Sequence, residues 1–216
     1  MSVDLVRATL MAQFNSIPGI IPAVNITTAS VGSPGSFYTA IPHGLIDGIY
    51  VVISGMTGST PAISGNYIVN VIDANNFNLE DPATGQVISV TIAGTGGQVL
   101  ANLTSWPNVM FQSVVGVPYA KIDWIDAAPS EPTQGGGFRI EQGYMQVVLC
   151  YPPGIGTGAL LARAELIRSY FAKGMTFVNG GLRIQILQTP QLGSFIQAQD
   201  QVTQTLRIYH STQIFS

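Results

Sequence analysis

FRIEQGYMQVVLCY, residues 138–151, is the stretch whose reading decides the fold. Its apolar density at Met145–Leu149 reads as a long strand buried on both faces. Pro152-Pro153-Gly154 ends it, and Gly158–Lys173 follows with Leu160, Ala164, Ile167 and Phe171 in one helical stripe. Thr157 can cap the start of that helix. Arg168 and Lys173 suit its C-terminal end, and Gly174 is placed to close it. Upstream, Tyr119–Ile125 reads as a strand with Ile122 and Trp124 on one face. Downstream, Leu182–Leu187 and Thr203–Tyr209 read as two more. At the N-terminus Val3, Val6, Leu10 and Phe14 form a stripe over Ser2–Asn15, which Pro18 and Gly19 stop. Helix, two strands, helix, two strands predicts an α+β host domain, a mixed or antiparallel sheet flanked by two helices.

That pattern is interrupted. From Ala8 to Ala120 the chain has no lysine and no arginine. At the usual charged fraction of about 25 %, a cation would fall every ten residues or so. Inside the gap, strand-like runs recur at short spacing: Ile49–Ile53, Asn66–Ile72 with Tyr67, Val69 and Val71 in alternation, Phe77-Asn78-Leu79, Val87–Ile92 and Val99-Leu100. Gly, Asn and Asp turns separate them, which indicates a small barrel or sandwich. The expected division is a host domain over 1–25 and 104–216, with an all-β insertion at 26–103.

Composition narrows function. The chain has 216 residues, 9 % charged and 46 % apolar, with net charge −3, and its mean hydropathy is +0.34. No window offers the roughly 18 apolar residues of a membrane helix. Asp4 and Arg7 within the first stripe argue against a signal peptide. A net negative chain lacks the clustered cations of a duplex-binding surface, although a wall past which DNA slides needs none. One cysteine, Cys150, allows no intrachain disulfide and no cysteine-built metal site, and fits folding in a reducing place. Few charges and many apolar residues suit a surface covered by other subunits.

Catalytic chemistry finds little to use. The two histidines are His43, in the turn-like Pro42-His43-Gly44, and His210 at the end of the last strand. Cys150 follows Val147-Val148-Leu149 and reads as a buried apolar filler rather than a nucleophile. Asp123 and Asp126, three apart on a strand, face opposite ways and make no carboxylate pair. Asp47, Asp73 and Asp81 are turn residues without calcium-loop spacing. Gly154-Ile155-Gly156-Thr157-Gly158 lacks the Gly-Lys-Ser/Thr ending of a phosphate loop. The expectation is no enzyme, no cofactor and no metal. Ala127–Gly137, with two prolines and Gly135-Gly136-Gly137, reads as a mobile interaction loop.

The host segments resemble the tail terminator family of long-tailed bacteriophages, the tail completion or head–tail joining proteins. The ordered features are the first helix, then Trp106-Pro107-Asn108-Val109 with Phe111, and Pro118-Tyr119-Ala120-Lys121-Ile122. The glycine-rich loop, Gly143–Leu149 with Tyr151-Pro152-Pro153-Gly154, Gly156-Thr157-Gly158, and Phe171-Ala172-Lys173-Gly174 through Arg207-Ile208-Tyr209 complete the set. The insertion resembles a small β-module grafted into phage structural proteins, through Pro42-His43-Gly44-Leu45, Gly48, Val51–Gly55, Gly65–Val69 and Asp73–Leu79.

The resemblance implies a homo-oligomeric ring, usually of six copies, in the virion tail and neck, assembled in the host cytoplasm. Such a ring caps the tail tube, stops its growth and offers a face to the head connector, with DNA only as passing cargo and no membrane contact. Gly135, Gly136 and Gly137, anchored by Phe138 and Arg139, are the expected contact with tube or connector. The rival reading is a glycan-binding or decoration module of a tail adhesion device, for which Tyr38, Tyr50, Tyr67 and Phe77 are the available aromatics.

Overall fold

A computed structural model describes residues 3–19, 21–109, 111, 113–130, 138–154 and 156–215. The chain is mostly β, 46 % strand and 13 % helix. It divides into two compact units: residues 19–103 with 111–117, and residues 1–18 with 104–110 and 118–216.

The first unit is a closed barrel. Its strands are β1 (Val24–Ala29), β2 (Ser36–Thr39), β3 (Tyr50–Ser54), β4 (Gly65–Val71), β5 (Asn76–Glu80), β6 (Gly94–Thr95) and β7 (Gln98–Ala101). The order β2-β5-β4-β3-β7-β1 closes because β1 also pairs with β2, and β6 adds to β1. Every pairing in this sheet is antiparallel. Closure removes the free edges that invite aggregation. Alternate residues point inward, so Ile26, Phe37, Val51, Ile53, Val69, Phe77, Leu79 and Val99 form the core. Phe37 and Phe77 are opposite each other in the β2–β5 register, with stacked rings 5.6 Å apart.

Two local features explain the connections. Asp73 accepts hydrogen bonds from the backbone N–H groups of Asn75 and Asn76 at 2.8 and 2.9 Å, which fixes the β4–β5 turn. Gly97 has φ +97°, and a Cβ there would lie 3.0 Å from both the Met56 nitrogen and the Ser54 oxygen. Only glycine suits that approach. The expected strand at Val87–Ile92 is absent. Its residues make single bridges to three different segments, Glu80↔Val87, Gly32↔Val90 and Thr60↔Ile92, so no continuous ladder forms.

The second unit is a curled sheet with two helices on its core. Its elements are α1 (Val3–Asn15), β8 (Thr104–Ser105), β9 (Tyr119–Asp126), β10 (Phe138–Tyr151), α2 (Gly158–Tyr170), β11 (Thr176–Asn179), β12 (Leu182–Ile186), β13 (Gln191–Gln197) and β14 (Val202–Phe215). The order is β11-β12-β14-β10-β9-β8, and β13 shares an edge of β14 with β12. Only β8–β9 is parallel. β10 and β14 pair along all fourteen residues, from Phe138↔Phe215 to Tyr151↔Val202. Val6, Leu10 and Phe14 of α1 and Leu160, Ala164 and Ile167 of α2 join Met145, Val147, Leu149, Ile184, Leu206 and Ile208 in one core. Phe14 meets Trp106 edge to face at 5.6 Å.

Five expectations change here. Residues 138–151 are a strand, but only the face of Met145, Val147 and Leu149 is sealed; Tyr144, Gln146 and Val148 on the other face are partly exposed. α2 stops at Tyr170, because Phe171 leaves helical geometry (φ −127°, ψ 43°) and is fully buried. Gly174 instead donates its N–H to the Ile186 carbonyl at 2.9 Å. Thr157 has helical φ and ψ and makes no side-chain cap. The C-terminal part holds four strands where two were expected, so the α+β balance gives way to a mostly β chain.

Candidate functional site

The sequence-expected contact loop falls largely outside the description: Gly135, Gly136 and Gly137 lie outside the described residues. Phe138 and Arg139 open β10, where Arg139 pairs with Glu141 at 2.9 Å. Upstream, Ser130 forms a bridge with Ile140.

Cys150 and His210 stay apart. Cys150 is 5 % exposed, and burial raises its thiol pKa, against smaller opposing effects of the Tyr119 side chain and Lys121. A thiol kept protonated is a poor nucleophile. In the β10–β14 register His210 stands opposite Gly143, seven residues from Cys150. At about 3.3 Å per residue the two are some 23 Å apart, which excludes a Cys–His dyad. His43 is committed to the barrel: Nε2 donates to the Asp73 carbonyl at 2.9 Å and Nδ1 accepts the Leu45 N–H at 3.0 Å. Asp123 pairs with Lys121 at 3.3 Å and Asp126 with Arg7 at 2.5 Å. Asp73 has a lowered pKa, chiefly through the Asn75 backbone hydrogen bond and then the Asn76 side chain. Among the described residues no cluster of three His, Cys, Asp or Glu could hold a metal. Among the described residues no helix is long and apolar enough to cross a membrane.

Of the aromatics offered for glycan binding, Tyr50 and Phe77 are buried in the barrel and Tyr67 is half-covered; Tyr38 alone of the four is exposed.

What the second unit does present is edge. β11 and β13 are outer strands of its sheet. Val178 on β11 is 72 % exposed and Ile196 on β13 is 64 % exposed, beside exposed Phe195. From Ile184 to Gln199 the sequence has no charged residue. Edge strands are usually protected by charge or proline, and β13 contains neither. Protein interfaces lose charge at their centres. These edges have the chemistry of a subunit contact, which sequence periodicity does not reveal because β13 is exposed along most of its length.

One cavity, of about 180 Å³, lies in the second unit between α1, β10 and β14. His210 lines it and is 6 % exposed, with neither ring nitrogen hydrogen-bonded. Burial lowers its pKa to about 4, against a smaller opposing effect of Asp126. No sequence signal marks this site, since its lining comes from four distant segments.

The chain is β-rich and built in two units, and the outer strands β11 and β13 of the second carry no charge. The phage tail terminator protein family matches residues 97–209, just over half of the chain. The chain belongs to the phage tail terminator family, and its role is that of a phage tail structural protein. The match covers the second unit from β8 into β14 and leaves most of the barrel outside it. A solved structure aligns over 54 % of this chain and 82 % of its own length, at 20 % identity and a TM-score of 0.47. No curated protein matches the sequence.

Proposed function

We propose that the protein forms a closed ring, of six copies, on the last ring of the tail tube. The ring stops tube growth and offers its opposite face to the head connector. Family membership carries this reading. The uncharged, exposed edges at β11 and β13 support it, because a heterologous contact between unlike surfaces of one chain closes into a ring when its rotation does. The barrel is a domain inserted between α1 and β8. Catalysis has no part in this function, which is geometric: termination and docking. The loop preceding Phe138 and Arg139 contacts the tube or the connector.

Light scattering after gel filtration tests the contact. Wild-type protein is expected at six times the 22.9 kDa chain mass, and Ile196→Lys at the mass of one chain. Wild-type protein that remains at 22.9 kDa at high concentration with tail tubes present would refute the ring. A variant replacing residues 19–103 with a short linker separates this function from adhesion. Failed head–tail joining favours the terminator; intact particles that no longer attach to cells favour the glycan-binding module.

A further inference from the structure

We propose that the cavity beside His210 is a binding site for a neutral phenol, a single aromatic ring bearing one hydroxyl. Three observations converge. First, size: an apolar protein cavity of about 150 Å³ holds benzene, and this one is about 180 Å³. Second, chemistry: Val3, Val6 and Pro129 give apolar walls. The polar lining includes Arg7, Gln142 and Thr212, and within it the His210 imidazole is 6 % exposed with no hydrogen-bond partner on either nitrogen; the Arg7 Nε also lacks one. Neutral imidazole offers one donor and one acceptor, and a hydroxyl pairs with one of them. A buried polar group left unpaired is costly, so the site gains by receiving a partner.

Third, charge: the carboxylate of Asp126 is paired with Arg7 at 2.5 Å and that of Glu141 with Arg139 at 2.9 Å. Both acids that line the cavity are therefore paired with a cation. The low basicity of His210 keeps the ring uncharged at neutral pH. The phenol can come free in solution or as the side chain of a tyrosine. Either presents the same group.

The full-length protein is titrated with p-cresol and, in parallel, with toluene, and the His210 ring nitrogens are followed by NMR. The expected result is p-cresol binding about tenfold tighter than toluene, the size of one net hydrogen bond, with a shift of the His210 nitrogens. His210→Phe should erase the preference while leaving toluene binding. Where that variant does not fold, the wild-type nitrogen shift stands as the readout. N-acetyl-tyrosinamide distinguishes the sources: binding shows that the mouth admits a tyrosine side chain, and exclusion with p-cresol still bound shows a site for free phenols. Equal affinity for p-cresol and toluene, or p-cresol binding without a His210 shift, overturns the proposal. So does failure of p-cresol to bind.

Discussion

Acidification below neutral pH should weaken the second unit, and His210 is the cause. Folded, its imidazole is walled in and its pKa falls from 6.5 to about 4. Unfolded, it regains its ordinary basicity near 6.5. Between those two values the unfolded chain binds a proton that the folded chain refuses, so stability rises with pH across that window. The contribution is fully present above pH 6.5, is lost progressively as pH falls, and is gone below about 4. The gap corresponds to about 3 kcal/mol at most, a large part of the 5–15 kcal/mol typical of a domain. Urea melts at pH 7.5, 5.5 and 4.5 would measure it. His210→Phe should flatten the slope between pH 6.5 and 4.5. An unchanged slope in that variant, with wild-type stability equal at pH 7.5 and 4.5, would refute the buried neutral histidine. Asp73 acts in the same direction but at lower pH, because its folded pKa lies below 3.8.

Leu149 is fully buried in the second core, so Leu149→Ala should cost about 2–5 kcal/mol in chemical denaturation. Gly143→Ala would place a Cβ 2.8 Å from the Ile125 carbonyl oxygen. That pushes β9 from β10 and should cost about 1–3 kcal/mol, read from the same melts. Cys150 should react with iodoacetamide at pH 8 at least about tenfold more slowly than a free thiol, since burial raises its pKa and shields it. Mass spectrometry of the timed reaction checks this.

Much of the host was legible because its strands and helices bury one continuous stripe. Val3, Val6, Leu10 and Phe14 mark α1 to within a residue, and Tyr119–Ile125 differs from β9 only by Asp126. The barrel strands with strict alternation, Tyr67, Val69 and Val71 among them, were equally visible. What stayed hidden has physical reasons. β13 is exposed along most of its length, so it has no hydrophobic period to read. β1 mixes Asn25, Thr27 and Thr28 into a strand whose buried positions shift at a bulge between Ile26 and Thr28. Val87–Ile92 has strand composition without a single neighbour to pair with. The helix ending at Tyr170 was overrun because Phe171 continues the apolar stripe after the backbone has left the helix. The cavity joins Val3, Pro129 and His210, residues whose proximity exists only after β10 and β14 have paired.

The central claim is that copies of this chain close into a ring at the end of the tail tube. Electron microscopy of purified tail tubes incubated with the protein measures this most directly. One closed six-fold ring at a single end of each tube is expected, with tube elongation arrested. Tubes that keep growing with the protein present, or protein that decorates their sides and never closes at an end, would contradict it.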